Sequence, residues 1–176
     1  MSLWTGLIVT VGVVFAFIPN VELVSLTAFL GGIALGPRRG LIVAAIGEAL
    51  FSALNPIGSG LGFPILFTFQ IFSVGLTGWL GGLLGPSLRN IQNRVSLAIV
   101  LGVAGFFLTL FYDLLTALSF PLSSGVVEGT IWGSLLAGLV FFIMHMVSNT
   151  ILFFMFAPGL IRLVNSQLEM HDLGRA

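Results

Sequence analysis

The chain has 176 residues, of which 57% are hydrophobic and only 7% are charged. Soluble domains carry about 25% charged residues, so this composition excludes an ordinary water-exposed surface. With six basic and six acidic residues and no Cys, the chain also lacks a basic surface for nucleic acid, a disulfide framework and a thiolate metal site. A transmembrane helix needs about 20 apolar residues, and the length therefore allows roughly six or seven crossings.

Interruptions by Pro, Gly and Arg divide the apolar sequence into six predicted helices. In chain order, these helices cover residues 3–18, 22–35, 40–54, 64–84, 94–118 and 130–157. Most predicted stops are pairs that contain Pro: Pro19-Asn20, Gly36-Pro37, Asn55-Pro56, Gly85-Pro86 and Pro158-Gly159. A loop over 119–129 carries Pro121. The first segment has no basic N-terminal region and no small-residue cleavage site, so we interpret it as a retained helix.

The apolar runs are continuous, whereas transmembrane strands alternate polar and apolar residues over about ten positions. We therefore predict an all-α integral membrane protein, a six-transmembrane-helix bundle with a single membrane domain over 1–164. Residues 165–176 are predicted to form a short, mostly polar cytoplasmic tail.

The arginines predict how the bundle is oriented. If the six helices alternate in direction, all six basic residues lie on one side: Arg38, Arg39, Arg89, Arg94, Arg162 and Arg175. The opposite loops carry only the acids Glu22 and Glu128. Because basic loops stay in the cytoplasm, we predict cytoplasmic termini and outer loops over 18–21, 55–63 and 119–129.

Few polar side chains interrupt the predicted spans: Glu48, Ser52, Asn55, Gln70, Tyr112, Asp113, His145 and Asn149. A charged side chain in the bilayer core costs at least about 2.5–3.5 kcal/mol, so it usually pairs with another group or faces a cavity. Glu48, Ser52 and Asn55 share one stripe of the third helix. His145 and Asn149 lie one above the other on the sixth.

Each of these residues also has a structural explanation. Gln70 and Asn149 fit interhelical hydrogen bonds, and Glu48 fits pairing or protonation inside the bundle. Trp132 fits an interfacial anchor as well as a stacking surface. Asp113 lies about 8 Å below the predicted outer end of its helix, where no arginine can neutralise it, so ligand contact is favoured there.

Small residues form two stripes that allow close helix approach. The fourth helix has a glycine stripe, namely Gly75, Gly78, Gly82 and Gly85, and the first helix has two pairs, Gly6 with Thr10 and Gly12 with Ala16. Packing inside the bundle is the default interpretation of both, and a partner-binding face is the alternative. The chain has no HExxH, GxSxG or Walker A motif, so we expect no enzyme, metal or cofactor.

Three motifs carry a family resemblance. The first outer loop reads Ile18-Pro-Asn-Val-Glu-Leu-Val-Ser, a cytoplasmic turn reads Gly36-Pro-Arg-Arg-Gly, and the last helix contains His145-Met-Val-Ser-Asn149-Thr-Ile-Leu-Phe-Phe. Together with six helices in a short chain, they resemble the S component of energy-coupling factor (ECF) transporters. The resemblance covers residues 1–164.

This resemblance implies a subunit of the prokaryotic cytoplasmic membrane that captures a vitamin or related micronutrient from outside. A T component and two cytoplasmic ATPase subunits would be its partners. The implied substrate-binding residues are Asn20 and Glu22 in the lid, with Gln70, Asp113, Trp132, His145 and Asn149 below it. Asn55 is a further candidate because of its place on the polar stripe of the third helix. The implied partner-binding residues on the first helix are Gly6, Thr10, Gly12 and Ala16. A single Tyr disfavours a ligand held by several stacked rings.

Two other functions fit the same sequence. One is a small oligomeric channel or proton-coupled carrier, in which Glu48 or Asp113 titrates and the glycine stripe of the fourth helix forms the oligomer seam. The other is a structural membrane protein without a ligand. A tightly held small molecule, or co-purifying ATPase subunits, would favour the transport subunit over both.

Overall fold

The computed structural model describes residues 1–19, 21–125 and 129–173, with side chains from 129 onward described for 131–166. The described chain consists of six α-helices and one short 3-10 turn and contains no strand. In order, the helices are α1 (Ser2–Phe15), α2 (Val24–Leu35), α3 (Pro37–Leu54), α4 (Pro64–Arg89), α5 (Arg94–Ser124) and α6 (Gly129–Leu173). The 3-10 turn covers Gly60–Gly62, between α3 and α4. The all-α prediction is confirmed.

Three helices are long and apolar enough to cross a membrane: Pro64–Arg89, Arg94–Ser124 and Ile131–Ser166. The helices Ser2–Phe15 and Val24–Leu35 are apolar but shorter. Large hydrophobic side chains cover the outer surface, and α6 exposes 70% of Leu136 and 66% of Val140. Such an apolar exterior fits a helical membrane protein, because lipid is the solvent that does not penalise it.

Three helices continue past the Pro residues at which the sequence predicted them to end. The helix α4 contains Pro86 and ends at Arg89 instead of 84, and α5 contains Pro121 and ends at Ser124 instead of 118. The helix α6 contains Pro158 and extends to Leu173, so described residues of the predicted tail continue the last helix. The predicted ends at these three positions are therefore wrong.

The apolar surroundings of these helices explain why they continue past Pro. A Pro removes one helical hydrogen bond, but unwinding an apolar helix in lipid would leave several backbone groups without any partner. At Gly85-Pro86 the local penalty is also smaller, since the Pro ring normally clashes with the Cβ of the preceding residue and Gly has none. Asn93 caps the start of α5, where its side-chain oxygen accepts bonds from the Val95 and Ser96 amides.

Glycines bring α2, α3 and α4 into close contact. A Cβ placed on Gly78 would lie 2.5 Å from the Gly40 carbonyl oxygen, and one on Gly81 would collide with the Phe29 carbonyl. One on Gly82 would collide with the backbone of Pro37. The glycine stripe of α4 therefore faces inward and packs within the bundle.

Packing of α5 on α6 fixes how these two helices are aligned along their length. Gly105 of α5 lies under the ring of Phe153, where an added Cβ would be 2.7 Å from the ring carbon Cγ. Phe153 is fully buried and meets Phe29 of α2 edge to face, with ring centroids 5.5 Å apart. This contact joins α2, α5 and α6 in one apolar cluster.

One end of the bundle holds the arginines at the α2–α3 and α4–α5 connections. Arg89, in the last turn of α4, donates a hydrogen bond to the Ile33 carbonyl near the end of α2, at 3.1 Å. This bond places the end of α4 beside the α2–α3 connection, where Arg38 and Arg39 begin α3. Arg94 begins α5 after a short turn. The opposite end of α3 and α4 carries no described arginine.

Candidate functional site

Two cavities differ in chemistry. The larger, about 1020 Å³, is an apolar groove between α1, α2 and α6, lined by residues such as Leu7, Leu30 and Phe156. Lipid chains or another helix can fill a groove of this kind, but it offers almost no polar contact to orient a ligand. The smaller cavity, about 280 Å³, has a mixed polar and aromatic wall and is the candidate site.

The smaller cavity lies at the end of the bundle away from Arg38, Arg39 and Arg89. Its wall comes from the C-terminal parts of α1 and α3, the N-terminal half of α4, the connection before α2, and one residue each of α5 and α6. Its polar lining residues are Glu22, Glu48, Asn55, Gln70, Tyr112 and His145. Its remaining walls include Phe15, Phe51 and Pro19.

A first hydrogen-bond chain links α3, α4 and α5. The Ser52 hydroxyl donates to Oε1 of Gln70 at 2.9 Å, and Nε2 of Gln70 donates to the Tyr112 hydroxyl oxygen at 3.2 Å. Both ends of the Gln70 amide are therefore occupied, and its orientation at the cavity wall is defined. Gln70 therefore makes hydrogen bonds between helices and also lines the cavity.

A second chain links the connection before α2 to α5 and α6. Nδ2 of Asn149 donates to Oε1 of Glu22 at 3.3 Å and lies 3.1 Å from Nε2 of His145. Nδ1 of His145 lies 2.7 Å from Oδ1 of Asp113. If the Asn149 amide donates to both neighbours, His145 carries its proton on Nδ1 and donates it to Asp113.

This second chain of hydrogen bonds anchors Glu22, in the connection before α2, to α6. Glu22 precedes α2, and its other oxygen accepts a bond from the Ser25 amide at 3.4 Å. Its side chain therefore reaches both the first turn of α2 and the middle of α6. Asn149 is fully buried, whereas 30% of the Glu22 side chain stays exposed.

Glu48 differs from the other acids of the site. It is 2% exposed, it lines the cavity, and no described residue donates a hydrogen bond to its carboxyl group. Of the buried side-chain atoms without a described partner, two belong to residues of this site, Oδ2 of Asp113 and Oδ1 of Asn149. Buried polar atoms are nearly always satisfied in folded proteins, so unsatisfied ones near a cavity indicate a ligand or bound water.

The structure brings most of the predicted substrate-binding residues together. Those that line the cavity or bond to its wall are Glu22, Asn55, Gln70, Asp113, His145 and Asn149. Trp132 is 68% exposed and does not line the cavity, a position that suits an interfacial anchor. The predicted lid residue Asn20 lies outside the described residues.

The sequence favoured ligand contact at Asp113 because no arginine lies at its depth, but the structure places the basic ring of His145 2.7 Å from this carboxyl group. The helix α5 continues 11 residues beyond Asp113, so this carboxyl lies about 16 Å below the helix end instead of about 8 Å. At that depth it meets His145. The aromatic wall was also underestimated, because Phe15 and Phe51 join Tyr112 at the cavity. Only the spacing of Phe51 from Glu48, three residues along α3, pointed to it in the sequence.

The small residues of α1 divide into two groups. A Cβ on Gly6 would meet nothing within 4 Å, and the exposed Thr10 hydroxyl donates to the Gly6 carbonyl at 2.8 Å. Gly12 instead packs against Phe51, 2.5 Å from an added Cβ, and Ala16 lines the cavity. Gly6 and Thr10 therefore remain open to a partner, whereas Gly12 and Ala16 face the interior.

Comparisons with protein-family models, curated proteins and solved structures gave no match. Among the described residues, no group of three His, Asp or Glu side chains is placed to hold a metal ion. The site therefore has to be judged by its own chemistry. A small cavity with fixed hydrogen-bonding groups and aromatic walls is suited to binding a small molecule.

Proposed function

We propose that this protein is the substrate-binding S component of an ECF-type importer, which captures a vitamin or related micronutrient from outside the cell. The observation that carries the proposal is the cavity with a mixed polar and aromatic wall at the end of the bundle away from the arginines. The positive-inside rule makes that end the outer one. A capture subunit needs its binding cavity on that side.

The cost of the polar groups supports a binding role. Glu48, Asp113 and His145 lie on helices of an apolar bundle, where each charged group costs at least about 2.5–3.5 kcal/mol. Structural hydrogen bonds between membrane helices contribute only about 0.6 kcal/mol on average, so stability alone does not account for three ionisable groups near one cavity. Ligand binding gives a reason to retain them.

In this proposal the chain crosses the membrane six times, with both termini in the cytoplasm. The short α1 and α2 count as spans because tilting or local thinning of the bilayer accommodates short helices. The open face of α1 at Gly6 and Thr10 would contact the T component, which joins the subunit to two cytoplasmic ATPases. The chain itself carries no ATP-binding motif and takes its energy from these partners.

A proton-coupled carrier is the second candidate, and it is favoured by Glu22 and Glu48 lining the same cavity. Binding of a proton by one of them would couple to substrate binding. The oligomeric channel has less support, because the glycine stripe proposed as its seam packs against α2 and α3 inside the bundle.

The test is purification of the tagged protein from its native membrane in mild detergent. We expect T and ATPase subunits to co-purify, and a small molecule to be released on denaturation and identified by mass spectrometry. A Gly6→Leu variant should lose the partner subunits and keep the small molecule. If neither partners nor a small molecule are found with the parent protein, the importer assignment is overturned.

A further inference from the structure

The candidate cavity is lined by more acidic than basic side chains. Glu22 and Glu48 both line it, and Asp113 lies directly behind His145. The chain has no lysine, and none of the described arginines lines the cavity. His145 is the one basic side chain there, so the acids outnumber the positive groups even when its imidazole is protonated.

The described hydrogen bonds do not compensate this excess. The Asn149 amide is engaged with Glu22 and His145, and the Gln70 amide with Ser52 and Tyr112. No described residue donates a hydrogen bond to Glu48, whose side chain is 2% exposed and borders the cavity. A buried carboxylate without a partner is costly, so its positive partner has to come from what fills the cavity, or a proton has to neutralise it.

Aromatic rings line the same cavity as this carboxyl group. Phe51 lies three residues after Glu48 on α3, and Phe15 and Tyr112 complete the wall. Rings of this kind attract cations to their faces, and a carboxylate combined with aromatic faces is a common recognition site for organic cations. A metal ion fits less well, because no described group of three ligating side chains is close enough together.

We infer that the cavity binds a small organic cation, with an ammonium, amidinium or protonated nitrogen-heterocycle group placed against Glu48 between the rings of Phe51 and Tyr112. This inference rests on the proposed capture function and narrows its substrate class. Neutral and anionic micronutrients would leave Glu48 unpaired or repelled, and so they are disfavoured by the same cavity.

Three probes with one ring and different charges test the inference: benzylammonium, benzyl alcohol and benzoate. Their binding to the purified protein in lipid nanodiscs is measured by calorimetry at neutral pH. We expect benzylammonium to bind at least about tenfold more tightly than benzyl alcohol, and benzoate most weakly, since one charge-assisted contact distinguishes them. In Glu48→Gln the preference for benzylammonium over benzyl alcohol should fall to within about twofold.

A second variant and a stability measurement separate binding from folding. Phe51→Leu removes one ring but keeps the carboxylate, and it should weaken benzylammonium binding about two- to fivefold. The unfolding temperature of ligand-free Glu48→Gln should equal or exceed that of the parent, because the variant removes a buried unpaired charge. A folded Glu48→Gln protein that keeps the full preference for the ammonium probe would overturn the role of Glu48.

The released molecule distinguishes this inference from the function on which it rests. A neutral or anionic molecule recovered from the protein, equal binding of benzylammonium and benzyl alcohol, or no binding of benzylammonium overturns the cation class and leaves the capture function standing. Absence of both a recovered molecule and partner subunits overturns the capture function itself. A recovered organic cation supports both.

Discussion

The hydrogen bond between Glu22 and α6 leads to a testable prediction, because one buried amide positions Glu22 at the cavity wall. Asn149 is fully buried, and its Nδ2 lies 3.3 Å from Glu22 and 3.1 Å from His145. Asn149→Leu replaces the amide with an apolar group of similar size. Both contacts are lost, while the space in the helix interface stays filled.

The expected magnitude follows from the kind of bond that is removed. A hydrogen bond to a charged group contributes about 1.5–3 kcal/mol, and each 1.4 kcal/mol corresponds to about tenfold in affinity. Without its link to α6, Glu22 is no longer held in position at the cavity wall. We therefore expect the dissociation constant of the ligand recovered from the parent protein to rise about 10- to 100-fold, mainly through faster release.

Asn165→Leu is the matched control, since it makes the same substitution on the same helix far from the cavity. The dissociation constants and release rates of parent, Asn149→Leu and Asn165→Leu are compared by calorimetry and stopped-flow fluorescence in nanodiscs. Unchanged binding by a folded Asn149→Leu protein would refute the reasoning that this amide positions Glu22 at the cavity.

Three further predictions concern topology, packing and the site boundary. Single Cys residues at Gly58 and Ser123 should react with an impermeant thiol reagent in intact cells; labelling only after lysis would reverse the proposed orientation. Gly105→Leu should lower the free energy of unfolding by about 1–3 kcal/mol through overpacking, whereas Gly6→Leu should leave it nearly unchanged, and equal effects would contradict the packing described. With Trp132 as the one remaining tryptophan, its emission should not respond to ligand, and a large response would extend the site to it.

The all-α fold follows from composition and pattern alone. Long continuous apolar runs with little charge can satisfy their backbone only as helices in lipid, so the number of helices and most of their starts are readable from the sequence. The ends of the helices that contain Pro86, Pro121 and Pro158 are not readable from the sequence. Pro is a reliable stop signal where water can accept the freed carbonyl group, and it loses that meaning in an apolar surrounding.

Candidate site residues were readable for the same energetic reason. A polar side chain within an apolar helix is expensive, so Gln70, His145 and Asn149 stood out before any contact was known. Their partners did not, because helical periodicity shows which residues share a face of one helix and carries no information about the facing helix. Ser52 with Gln70 is such a pair.

Tertiary packing decided the pairing of Asp113 with His145. The antiparallel helices α5 and α6 are aligned by Phe153 lying on Gly105, and Asp113 and His145 are each eight residues from that contact. Eight residues are about 12 Å along either helix, so the two side chains arrive at the same level. The register depends on one ring fitting over one glycine, a matter of shape between two distant segments that neither segment specifies alone.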